Sequence, residues 1–124
     1  MENGLPKDVR NFLTDCIESV SQLELLFIIF ENKTRTWTAA SISRELRTHS
    51  SMALKQMEML HGKGILKKES DSFSYAPQSE TLNENISKLR ELYQERPVAI
   101  VTFIYTKPED KLKGFADAFK FKKD

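Results

Sequence analysis

Cysteine is almost missing from this chain: Cys16 is the only one in 124 residues. One thiol excludes an internal disulfide framework and any cysteine-cluster zinc site, because both need several sulfurs at defined spacing. Histidine is nearly as scarce, with only His49 and His61. Neither has a carboxylate or thiolate at ligand spacing, so no metal centre is expected. The longest apolar runs, Leu25–Phe30 and Val98–Tyr105, fall far short of the ~20 residues a helix needs to cross a bilayer. There is no P-loop, no Gly-x-Gly-x-x-Gly and no Gly-x-Ser-x-Gly elbow with a base-positioned histidine. No catalytic activity and no cofactor are therefore expected. Met1-Glu2-Asn3-Gly4 lacks the basic and apolar regions of a signal peptide. The expectation is a soluble protein of a reducing compartment, most simply the cytoplasm.

What the chain does contain is ordinary globular material, 40% hydrophobic and 30% charged. Its length suits one domain over residues 1–124 with a core of its own. The charge totals, 19 basic against 18 acidic, hide an uneven distribution. Residues 1–32 set Lys7 and Arg10 against Glu2, Asp8, Asp15, Glu18, Glu24 and Glu31, a net of −4. Residues 33–68 set Lys33, Arg35, Arg44, Arg47, Lys55, Lys63, Lys67 and Lys68 against Glu45 and Glu58, a net of +6. The remainder is close to neutral. A basic middle third fits a surface for a polyanion or an acidic partner; scattered solvated charge gives the same arithmetic.

Apolar periodicity supplies the elements. Val9, Phe12, Leu13, Cys16, Ile17 and Val20 mark one face of a helix over 7–20, with Pro6 at its start. Ser21-Gln22-Leu23-Glu24 has the form of a capping box. The helix after it is apolar on nearly every side, which suits the centre of a fold. Arg35-Thr36-Trp37 is strand-prone, with Trp37 as its core anchor, and Thr38 caps a helix over Ala39–Arg47. After Thr48-His49-Ser50 a further helix runs from Ser51 to Gly62, with Ala53, Met57 and Leu60 inward. Ile65–Lys68 and Phe73–Ala76, around Glu69-Ser70-Asp71-Ser72, make a hairpin ended by Pro77. Thr81-Leu82-Asn83-Glu84 is a second capping box, opening a helix with Leu82, Ile86, Leu89, Leu92 and Tyr93 in its stripe. Val98–Tyr105 is β-branched but has no partner strand, so a helix from Pro97 is expected. Leu112, Phe115, Ala116 and Phe119 mark a last amphipathic helix.

Helix, short strand, helix, tight turn, helix and hairpin is the order of a winged helix-turn-helix. The expected fold is thus mainly α, with a short two- or three-stranded wing over a core at 21–77. A helix at 7–20 and a segment at 79–124 extend it. The stretch Thr38-Ala39-Ala40-Ser41-Ile42-Ser43-Arg44-Glu45-Leu46, then Ala53, Met57 and Leu60, then Gly64-Ile65-Leu66 and Phe73-Ser74-Tyr75-Ala76-Pro77, resembles bacterial winged-helix transcriptional regulators of the MarR/ArsR-like kind. About 40 residues carry the likeness. It implies a cytoplasmic DNA-binding regulator, homodimeric through its terminal segments, with its third helix in the major groove and its wing on the backbone.

By position, the resemblance gives the third helix an exposed face of His49, Ser50, Ser51, Met52, Lys55, Gln56 and Met59. Gln56 suits adenine, Lys55 guanine or phosphate, and Ser50 and Ser51 either. Arg44 and Arg47 fall near the backbone, Lys67 and Lys68 start the wing, and Thr38 offers helix N-terminal amides to a phosphate. A second reading competes with this one. Met52, Leu54 and Met59 are apolar for a groove-facing surface and the wing turn is acidic, which suits a winged-helix protein-interaction module that does not bind DNA.

Overall fold

A computed structural model describes residues 4–106, with six helices and one two-stranded antiparallel sheet: α1 (Lys7–Cys16), α2 (Val20–Glu31), α3 (Ala39–Leu46), α4 (Ser50–Gly62), β1 (Leu66–Glu69), β2 (Ser72–Tyr75), α5 (Glu80–Glu95) and α6 (Pro97–Thr106). Helix α2 lies between two groups of elements. On one side it meets α3, α4 and β2. On the other, the Phe27 ring sits 5.4 Å from that of Tyr93 on α5, and Arg90 of α5 pairs with Glu31. Helices α1, α5 and α6 pack on one another on that second side. Leu23, Leu25, Leu26 and Ile29 of α2 are fully buried, as an all-round apolar helix requires.

The hairpin is tight. Leu66 pairs with Tyr75 and Glu69 with Ser72, leaving Ser70-Asp71 as a two-residue turn with Ser70 at φ 60°. A third extended segment joins it through one residue. Trp37 N–H donates to the Phe73 carbonyl at 2.8 Å, and Phe73 N–H returns the bond at 2.7 Å. This bridge holds the approach to α3 against the wing and seals Trp37 at 1% exposure. The helical content and small sheet are compatible with the architecture expected from the element order.

One helix end and two helix starts differ from expectation. Helix α1 stops at Cys16 rather than running to 20, because Ile17 turns extended and is fully buried there. Helix α2 is capped by Ser19, not Ser21. The Ser19 hydroxyl accepts from Gln22 N–H at 3.1 Å, and Gln22 Oε1 accepts from Glu18 N–H at 2.7 Å. This reciprocal pair satisfies two orphan amides and places Gln22 inside. Helix α5 starts at Glu80 under a Ser79 cap that accepts from Leu82 N–H. Asn83, expected within a capping box opened by Thr81, instead accepts from the Tyr75 hydroxyl at 2.7 Å. Val98–Tyr105 is helical, as expected from Pro97 onward. The periodic stretch Leu112–Phe119 lies outside the described residues. Among the described residues no helix is long and apolar enough to cross a membrane.

Candidate nucleic-acid interface

Helices α3 and α4 meet through a three-residue turn, Arg47-Thr48-His49. Its geometry comes from Arg47, which ends α3 in the left-handed region at φ 57° and ψ 50°. The amides of Arg47 and Thr48 both reach back to the Ser43 carbonyl, closing the last turn of α3. A non-glycine residue is costly in that conformation, by roughly 1–2 kcal/mol. The Arg47 side chain is exposed, as are Arg44 one turn earlier and Lys55 on α4. None of the three has an acidic partner among the described residues. His49, Ser50 and Ser51 are also exposed, at the N-terminal end of α4. These six described positions form a polar, cationic run along the α3–turn–α4 unit.

The other expected contacts fare differently. Gln56 is buried at 6% exposure, so it is not on the outward face of α4. Its position explains this. Ala53, Gln56, Met57 and Leu60 fall at i, i+3, i+4 and i+7 and are all buried, so Gln56 occupies the inward stripe despite its polarity. Met59 is half-buried rather than exposed. Thr38 spends its capping groups on its own helix. Its hydroxyl accepts from Ser41 N–H at 3.1 Å, and its own N–H donates to the Ser41 hydroxyl at 2.9 Å. These two bonds occupy the Thr38 and Ser41 amides. On the wing, Lys67 lies 3.6 Å from Glu69, and Lys68 reaches Glu58 of α4 at 2.6 Å. Lys68 thereby ties the hairpin to α4.

Two features of this region were missed by pattern alone. Arg35 stacks on Trp37, with its guanidinium carbon 3.8 Å from the ring centroid, so the base beside the short strand is held in place. The second is a cleft of about 140 Å³ between the α1–α2 junction and α4, lined by Glu18, Ser19, Gln22, Met52, Lys55, Gln56 and Met59. Its residues are too far apart in sequence for a local motif to reveal it. His61, the other histidine, is occupied by a 2.9 Å hydrogen bond between Nδ1 and the Leu66 carbonyl. Among the described residues no group of three potential metal-binding side chains converges. Comparison of the chain with family models, curated proteins and solved structures gives no match.

Proposed function

We propose that the protein is a winged helix-turn-helix regulator that binds double-stranded DNA through α3, the Arg47 turn and the N-terminal half of α4. One observation supports this most: Arg44, Arg47 and Lys55 are exposed without acidic partners among the described residues, and Arg47 is kept in a backbone conformation that glycine adopts more cheaply. Strain retained under a free cation points to a use for that cation. In this reading His49, Ser50, Ser51 and Lys55 face the major groove, while Arg44 and Arg47 neutralise phosphates. The hairpin contributes less than its sequence suggests, since both its lysines are paired with acids. Resemblance to MarR/ArsR-like regulators further suggests a cytoplasmic homodimer, with α1, α5 and α6 on the side away from α3 and α4 available for pairing.

Titration of duplex DNA at low salt tests the proposal. Binding that weakens steeply with salt is expected, with a slope reduced by about 0.9 for the phosphate contact removed in Arg44→Ala, and with lower affinity in Lys55→Ala. Unchanged affinity and slope in both variants, and in Arg47→Gly, would refute it. A second reading, a winged-helix module that binds a protein partner, is favoured by Met52 at 47% and Leu54 at 40% exposure on α4. In that case Met52→Asp abolishes partner binding, and DNA gives no shift at any salt.

A further inference from the structure

Buried amide groups seldom go unbonded, because each has given up water without a replacement. Two such groups belong to the lining of one cleft. Gln22 is 1% exposed and Gln56 6%, and both line the space between the α1–α2 junction and α4. Gln22 Oε1 accepts from Glu18 N–H at 2.7 Å, which fixes the other end of that amide as a donor. Gln22 Nε2 and Gln56 Oε1 are each closed to solvent and without a hydrogen bond. One orphan is therefore a donor and the other an acceptor.

The rest of the lining divides by role. Met52, Lys55, Gln56 and Met59 fall at i, i+3, i+4 and i+7, so a single stripe of α4 forms one wall. Across from it, Ser19 is committed to its own helix, its hydroxyl accepting from Gln22 N–H. Met52 is exposed and Met59 half-buried. Unbranched thioether side chains re-form readily around a guest and make favourable contact with aromatic rings. They are the part of the wall that can yield and uncover the two amides. Glu18 and Lys55 are exposed and carry one charge of each sign, so the lining has no net preference for an anion or a cation. The volume, about 140 Å³, is close to the ~150 Å³ of a cavity that takes one benzene ring.

We propose that this cleft binds a small neutral lactam, a single six-membered ring with an N–H beside a C=O. The ring carbonyl accepts from Gln22 Nε2 and the ring N–H donates to Gln56 Oε1, so each orphan gains the partner it lacks. The two methionines close over the ring, giving the usual division of a ligand site into apolar walls and a few placed polar groups. Other charge types fit worse. A carboxylate brings only acceptors and sets one against Gln56 Oε1; an ammonium brings only donors and sets one against Gln22 Nε2. The site is independent of what the outer face of α4 binds.

Titration of 2-pyridone into the isotope-labelled full chain, followed by NMR, tests it. The Gln22 side-chain amide signal should shift and saturate, with a Kd of roughly 1 mM or tighter. N-methyl-2-pyridone keeps the ring and carbonyl but has no N–H, and should bind at least tenfold more weakly. Gln56→Met should weaken 2-pyridone at least tenfold and leave the N-methyl compound unchanged, which assigns the lost contact to the ring N–H. The comparison of the two compounds on the wild-type chain does not depend on how that variant folds. No saturable shift at Gln22 up to roughly 20 mM, equal affinity for the two compounds, or undiminished 2-pyridone binding in a folded Gln56→Met would each overturn the proposal.

Discussion

Gln56 sits on the buried stripe of α4 with its side-chain oxygen unbonded, and Gln22, lining the same cleft, has its Nε2 unbonded. A buried acceptor without a partner costs about 1–3 kcal/mol. Methionine has a similar length and no such acceptor, so Gln56→Met should raise stability by about 1 kcal/mol, read as a higher urea midpoint at unchanged m. Arg47 gives a second expectation at this scale. Arg47→Gly relieves the left-handed strain but adds chain entropy to the unfolded state, so stability should stay level or rise by up to about 1 kcal/mol. The same variant should lose DNA affinity, separating binding from folding in one protein. Binary patterning misplaced Gln56 because a glutamine counts as polar wherever it falls. The positions of Ala53, Met57 and Leu60 were enough to show that 56 lies on the same stripe.

Elements were legible where one signal dominated. The apolar run of α2 and the Thr38 cap of α3 left few alternatives, and Pro97 with no available partner strand made α6 a helix despite its β-branched residues. Helix starts failed where two serine or threonine caps stood two residues apart. Ser19 prevails over Ser21 because Gln22 can return a hydrogen bond to Glu18 N–H. Ser79 prevails over Thr81 because it caps the turn that carries Leu82, leaving Asn83 to the Tyr75 hydroxyl. Ser19→Ala should therefore cost about 1 kcal/mol, and Ser21→Ala little, in paired thermal denaturations. The junction of α4 and the wing is stricter. Gly64 has φ +80°, and a Cβ there would collide with the side-chain amide of Gln78. Its carbonyl also accepts from Gln78 N–H at 2.8 Å, so Gln78 is drawn in close. Gly64→Ala should lower the melting temperature by several degrees, corresponding to about 2 kcal/mol from the strained backbone and the displaced side chain.

For the molecule as a whole, two contacts between elements distant in sequence involve groups that titrate, Tyr75 of β2 with Asn83 of α5 and Asp8 of α1 with Lys88 of α5. Burial, and secondarily the charge of Glu80, push the Tyr75 hydroxyl up to about 12 from its ordinary value of 10.0. The native state thus favours the neutral phenol. Its contribution is complete below pH 10 and is lost as pH rises towards 12. Stability should fall across that window in the wild type and fall less in Tyr75→Phe, as measured by urea denaturation at stepped pH. At the acid end, the hydrogen bond from Lys88 holds the Asp8 carboxyl below its ordinary value, joining α1 to α5 at 2.8 Å. That contribution is present above the usual carboxylate range and disappears as pH drops through the lowered value. It is small, because both groups are close to half exposed.

Trp37 has an optical consequence. It is the sole tryptophan, enclosed where the approach to α3 meets the wing, with the Arg35 guanidinium against its indole. Intrinsic emission therefore comes from one site, at the junction beside the basic face. A phosphate that draws Arg35 off the ring changes that emission, so an unlabelled protein reports its own titrations, and loss of the blue-shifted band marks separation of the wing from α3.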